Sequence, residues 1–420
     1  MHASRREIAI AVIVIVVLSL LGYAGGKLYG ERHTPVFQNL AACVSKDPYG
    51  TAELNPVCVT QTIRSLLKVY STAEVMKYIS APTTSREITI NCHAIGHVVG
   101  QQTFLNTGSV QGALNQCTRD CAFGCIHGVI GAAVVQQLGN DNQDIEHADI
   151  GKIEAIGSTY CAQGADLCHA MGHLLYMNAA SETKALVACG AMGQKPTNTE
   201  ACYQGVFMED AGEQSPTGPA TPLFLSNATA TAPVSQDYAY PCRDIAAPYQ
   251  HACFMNLFFF QENLFSQHGV AVGEPRLTIE QSTCETLSGT ARSDCFEGVG
   301  YLLYLTFPDS PYSSYGDYCA TLTASSDRKA CILGFATNLT GGFSYAPALN
   351  YCQSLTDQSE RVFCSNAAFQ DIHRQKADTN IPSICEAASA PAACEGAFKS
   401  YIEASSTLPN YYLGIGAGTN

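Results

Sequence analysis

Two hexapeptides, CHAIGH at residues 92–97 and CHAMGH at residues 168–173, write one pattern, Cys-His-x-x-Gly-His, in a chain of 420 residues with only 11 histidines. Neutral imidazole is the commonest metal ligand among side chains. Within each hexapeptide the histidines stand four apart, His93 with His97 and His169 with His173, and on a helix that spacing sets both rings on one face. A fifth histidine, His127, lies between the two copies in the related stretch CAFGCIHG, residues 121–128. One such pair is a weak signal, because two satisfied core or surface histidines are written the same way. Two copies in register, with His127 between, point to a shared site.

The chemistry of such a site is nitrogen ligation. It suits copper or zinc first and iron second, as one or two ions, and disfavours calcium and magnesium, which want oxygen. Five histidines exceed what a closed, four-coordinate zinc requires. A non-covalent haem with two axial histidines is a weaker rival. If the metal reading holds, nitrogens of at least three of the five rings fall within roughly 3 to 5 Å of a common point, given metal–nitrogen bonds of about 2.0 to 2.1 Å. Glu209 and Asp210, in VFMED, offer a further carboxylate, although a solvated helix end is the plainer account of them. His147 sits in the acidic stretch GNDNQDIEHADIG without EF-hand spacing and reads as incidental. Past residue 241, His251, His268 and His373 are scattered singly. The chain lacks C-x-x-C, H-E-x-x-H, G-x-S-x-G and a glycine-rich phosphate loop, so thioredoxin chemistry, covalent haem and the common hydrolase sites lose their signatures. No catalytic base or nucleophile can be named.

Whatever holds these histidines is built on cysteine. Twenty cysteines are too many for a reduced cytosol, and the even count suits a disulfide framework in an oxidising compartment. Cys58, Cys92, Cys125, Cys168, Cys202, Cys253, Cys295, Cys331, Cys364 and Cys394 follow one another at 30 to 51 residues. Several open the same phrase, as in CYQGVFME, CFEGVGYLLY and CILGFATNL, with a glycine two or three residues after the cysteine and apolar residues at helical spacings. A second cysteine precedes most of them by 7 to 15 residues, room for a short helix and a turn. That spacing predicts Cys242 with Cys253, Cys284 with Cys295, Cys319 with Cys331, Cys352 with Cys364 and Cys385 with Cys394, and likewise Cys43 with Cys58, Cys161 with Cys168 and Cys189 with Cys202. Cys92, Cys117, Cys121 and Cys125 remain. Cysteines four apart on a regular helix are too far apart to bridge, so Cys92 is expected to join Cys121 or Cys117, with a break near residue 120 letting the other two close.

Two antiparallel helices per unit of about 35 residues is the arithmetic of a helical-repeat array. In period and helix count the chain resembles a tetratricopeptide-type α-solenoid, without that family's Trp-Leu-Gly-Tyr pattern and with no tryptophan at all. Strand signals are poor, and the expected fold is all-α. Residues 213–241, with five prolines and many Ser and Thr, break the rhythm and read as a linker or excursion between helical domains at 35–212 and 242–404, with a loose tail at 405–420. FMNLFFF, residues 254–260, reads as the buried face of a helix.

At the N-terminus, residues 8–26 form a charge-free run of 19 residues behind Arg5 and Arg6. About 28 Å of helix matches the roughly 30 Å of a bilayer core, so the expectation is a transmembrane anchor at 8–26, a cytoplasmic tail at 1–7 and the bulk of the chain extracytoplasmic. A formal charge of −14 and the absence of any Lys/Arg run exclude nucleic acid as the main partner. The composite expectation is a membrane-anchored metal-handling protein or metalloenzyme. The competing one is a disulfide-stapled scaffold whose repeat surface binds a protein or glycan and whose histidines are structural.

Overall fold

The computed structural model describes residues 39–44, 54–81, 84, 88, 91–139 except 122, 145, 148–214 except 180 and 193, 237–307, 312–341, 345–374 and 381–411. Among these the fold is all-helical, and the one β pairing is an isolated bridge between Val44 and Leu54. The expected tail at 1–7, the anchor at 8–26, His147 and most of the 213–241 excursion lie outside the described residues. No helix among the described residues is long and apolar enough to cross a membrane.

Helices α1 (Pro56–Leu66) and α2 (Thr72–Ile79) precede α3 (Cys92–Thr107), and a short α4 (Val110–Leu114) leads into α5 (Gly124–Gln137). Short and long helices then alternate: α6 (Ile150–Cys161) before α7 (Ala165–Ala179), and α8 (Glu182–Ala191) before α9 (Pro196–Gln214). Two consecutive helices, α10 (Ala247–Phe254) and α11 (Leu257–Gln267), open the second half. The alternation resumes with α12 (Glu274–Glu285) and α13 (Gly289–Thr306), α14 (Tyr312–Thr321) and α15 (Ser325–Gly341), α16 (Tyr345–Ser354) and α17 (Gln358–Arg374), then α18 (Ile381–Glu386) and α19 (Pro391–Ala404).

Local signals fix the ends. Asn55 accepts from the Cys58 amide with Pro56 in the first turn of α1, Ser71 and Glu74 form a capping box on α2, and left-handed Gly108 stops α3. Helices α3 and α5 carry no polar stripe. In α3 every residue from Ala94 to Phe104 is buried, and in α5 nearly all from Gly124 to Val135, the pattern of helices covered on all sides. One apolar core runs from Phe104 through Phe207, Phe254, Phe296, Phe335 and Phe369 to Tyr401, and a second, from Leu40 to Val99, gathers around α1, α2 and α3. FMNLFFF is buried at Phe254, Leu257, Phe258 and Phe260, but not as one helix: the chain breaks after Phe254, where the Asn256 amide donates to the carbonyls of Gln204 and Ala252.

All twenty cysteines are paired. The eight pairings expected within short-helix units form, and from Cys189–Cys202 onward, Cys242–Cys253 aside, each ties a short helix to the first turns of the long helix after it. The open pairing resolves as Cys92–Cys121 and Cys117–Cys125. The break that permits it lies at Cys121 and Phe123, both in the left-handed region at φ 58° and 66°.

Each long helix packs on the next, most closely α3 on α5, α7 on α9 and α13 on α15. Glycines make these crossings. A methyl group on Gly128 would overlap the carbonyl of His97, one on Gly172 that of Cys202, and one on Gly334 that of Glu297. Overpacking costs typically about 1 to 3 kcal/mol and occasionally more. We therefore expect Gly128→Ala to lower the stability read by urea unfolding by that amount or beyond, with Gly396→Ala, whose helical site is open, as the comparison for space; an unchanged midpoint in Gly128→Ala would contradict the backbone contact. Within the expected tail, the Tyr411 amide donates to Gln370, the Gln370 amide donates to the Pro409 carbonyl, and the Tyr411 ring packs on Phe363.

Candidate metal centre

Helix α3 brings His93 and His97, α5 brings His127, and α7 brings His169 and His173. The glycine crossings put these helices close enough for the rings to meet. His93 and His97 flank Gly96, which rests on Gly124 and Cys125, and His169 and His173 flank Gly172. Disulfides pin the same turns, since Cys92, Cys125 and Cys168 stand one or two residues before His93, His127 and His169.

All five rings form one cluster. Donor nitrogens of His93, His97, His127 and His173 lie within 4.8 Å of one another. The His97 and His93 Nε2 atoms face each other at 3.0 Å. His127 has its centroid 5.2 Å from His93, 5.4 Å from His97 and 5.7 Å from His173. His169 stands at the edge of the four, stacked on His127 at 4.9 Å and edge-on to His173 at 5.0 Å. His97, His127 and His173 are buried, and His93 and His169 half-buried.

The outer contacts orient the rings. His93 Nδ1 donates to the Cys121 carbonyl at 3.0 Å, leaving the Nε2 lone pair to face the cluster. His173 Nδ1 lies 2.8 Å from the Glu209 carboxyl. A carbonyl or carboxylate behind a ligand histidine is the usual way its tautomer and angle are set. Sequence alone left Glu209 and Asp210 as a solvated helix end, and the structure corrects this. Both are buried, Glu209 behind His173 and Asp210 accepting from the Tyr176 hydroxyl at 2.7 Å, because α7 packs along α9 at that turn.

His127 has no hydrogen-bond partner at either ring nitrogen, and His169 has none at Nε2. Burial first, and then the potential of the neighbouring rings, holds His97, His127 and His169 well below the usual histidine range, while burial takes His173 down to about 3. Neutral rings keep their lone pairs. Burial also pushes the Glu209 carboxyl up to about 8. The cluster could hold a metal ion: it offers four convergent, uncharged nitrogen donors, some otherwise unsatisfied.

His251, read from sequence as scattered, is not. It sits buried between Glu200 of α9 and Asp294 and Glu297 of α13. These groups come from three helices, and the one local spacing among them, Asp294 and Glu297 three apart on α13, is too common to announce a site. One signal was legible: CFEG at 295–298 places Glu297 where CIHG at 125–128 places His127.

No family model matches the chain, and no curated protein or solved structure matches it.

Proposed function

We propose that this is an extracytoplasmic metal-binding protein that holds one transition-metal ion, copper or zinc ahead of iron, on His93, His97, His127 and His173, with His169 packed on His127 as the edge of the site. The observation that carries this reading is His127, a buried imidazole among three others with neither nitrogen partnered. A buried polar group left unpaired costs about 1 to 3 kcal/mol, and a cation at the common point removes that cost for several rings together. Four nitrogen donors complete a four-coordinate set, which favours holding or handing on an ion over an open catalytic position. A haem fits poorly, because the rings that flank any axial pair occupy the space of the macrocycle.

Ten disulfides support an oxidising compartment. We extend this to a chain tethered by residues 8–26, with short and long stapled helices forming a repeat array. The recurrence of Cys and Gly at matching positions of α5, α9, α13 and α15 supports the array.

Elemental analysis of the oxidised protein tests the centre. After stripping and reloading with Zn²⁺ or Cu²⁺, about one tightly held ion per chain is expected at the cluster. His97→Asn is expected to weaken it by more than the roughly 10- to 100-fold typical of an outer partner. Unchanged affinity in the variant, or no ion in the native protein, would leave the histidines structural and favour a stapled scaffold.

A further inference from the structure

The second buried cluster lies around His251. Donor atoms of His251, Asp294 and Glu297 all lie within 4.8 Å of one another, and Glu200 stands behind, its Oε1 accepting from His251 Nδ1 at 2.7 Å. This repeats the plan of the histidine centre, where Glu209 stands behind His173 at 2.8 Å. Both outer carboxylates belong to α9. Glu200 and Glu209 are nine residues apart, which on a helix means opposite faces and about 13 to 14 Å along the axis. The donors are pinned by the staples, because Glu200, His251, Asp294 and Glu297 each lie within two residues of Cys202, Cys253 or Cys295.

A buried ion pair alone accounts for this arrangement badly. Glu297 is 2 % exposed, and its Oε2 has no hydrogen-bond partner. His251 Nε2 faces the other oxygen, Oε1, at 3.4 Å without hydrogen-bond alignment, whereas a charge-assisted pair closes to about 2.7 to 2.9 Å. Burial works to lower the basicity of His251, and the carboxylates of Glu297 and Glu200 outweigh it and raise its pKa well above the usual value. Burial pushes Asp294 up to about 7 against the pull of His251. Three carboxyl groups stand around one imidazole, which even as an imidazolium can balance only one of them, and an oxygen and a nitrogen are left unmatched in the middle.

We propose that His251, Asp294 and Glu297 form a second metal site, distinct from the histidine centre, that takes a divalent first-row ion of the Mn²⁺ or Fe²⁺ kind, with Glu200 as the outer carboxylate that orients His251. Two carboxylates and one imidazole suit these ions better than an all-nitrogen set does. The site does not depend on the reading of the histidine cluster. Glu297 occupies the position in its cysteine–glycine phrase that His127 occupies in its own, so one backbone frame presents nitrogen in one place and oxygen in the other.

The test uses the full oxidised chain stripped of metal and titrated with Mn²⁺ alone, the free ion followed by its paramagnetic resonance. About one bound Mn²⁺ per chain is expected. Glu200→Gln should weaken binding roughly 10- to 100-fold, as for other outer-shell partners, and Asp294→Asn by more, whereas His97→Asn should leave it unchanged. Absence of Mn²⁺ binding by the natively folded wild-type chain would overturn the proposal, whatever the variants do. So would binding that is lost in His97→Asn and kept in Asp294→Asn, since the ion would then sit among the histidines.

Discussion

Reduction of the ten disulfides is expected to unfold the protein at neutral pH and room temperature, in the absence of any denaturant. The loops they close run from 7 to 29 residues, and on the chain-entropy estimate loops of these sizes contribute roughly 2 to 4 kcal/mol each. Ten of them outweigh by a wide margin the roughly 5 to 15 kcal/mol that separates a typical folded domain from its unfolded chain. Packing cannot replace them, because the glycine crossings that bring the helices together leave fewer side-chain atoms to bury where the backbones touch. Far-UV circular dichroism before and after reduction, with a thiol count under denaturing conditions, gives the comparison. The oxidised chain should show no free thiol and full helicity, and the reduced chain little helicity. A reduced protein that kept a cooperative helical signal would mean that the staples merely decorate a fold stable without them.

The staples were legible because a disulfide between neighbouring elements leaves a linear record: a cysteine, a short helix, a second cysteine. Where that record failed, the reason is local. Cys92 could be matched with Cys117 or Cys121 because the choice depends on a backbone reversal at Cys121 and Phe123, neither of which is a glycine that would advertise a left-handed residue. The histidine cluster was legible for the same reason as the staples, since its rings come in repeated pairs at helical spacing. Its outer support was not, because Glu209 becomes a buried partner only when α7 lies along α9. The cluster at His251 is the extreme case, one histidine and three carboxyl groups from helices α9, α10 and α13, with common residue types and no repeated spacing. Its trace in the sequence is positional: a glutamate standing in the slot where an earlier copy of the phrase has a histidine.

Replacing His127 by leucine should make the metal-free protein more stable while abolishing the stability that an ion at the histidine centre supplies. Both nitrogens of His127 are buried without partners, so removing them recovers about 1 to 3 kcal/mol of uncompensated desolvation, and leucine fills a similar volume. The pH dependence carries a definite sign. Burial, followed by His169, His93, His97 and His173, holds the folded His127 well below its unfolded value of 6.5. As pH falls through 6.5 the unfolded chain takes up a proton that the folded chain refuses, and the stability that His127 contributes in its neutral form is progressively lost. By pH 5 the wild type should have lost on the order of 2 kcal/mol relative to the variant. Other groups, including Glu209 and Asp294 with their opposite sign, are common to both proteins and largely cancel in the difference. In excess Zn²⁺ the order reverses, because only the wild type gains from binding at the histidine centre, by about 4 kcal/mol at a thousandfold excess over the dissociation constant, while any gain at the His251 cluster is common to both proteins. Urea unfolding of the two proteins at pH 7 and pH 5, with chelator and with Zn²⁺, reads all three effects. If the metal-free leucine variant were instead the less stable at pH 7, His127 would be a packing residue that the fold requires, and the case for a metal at this centre would fail at its strongest point.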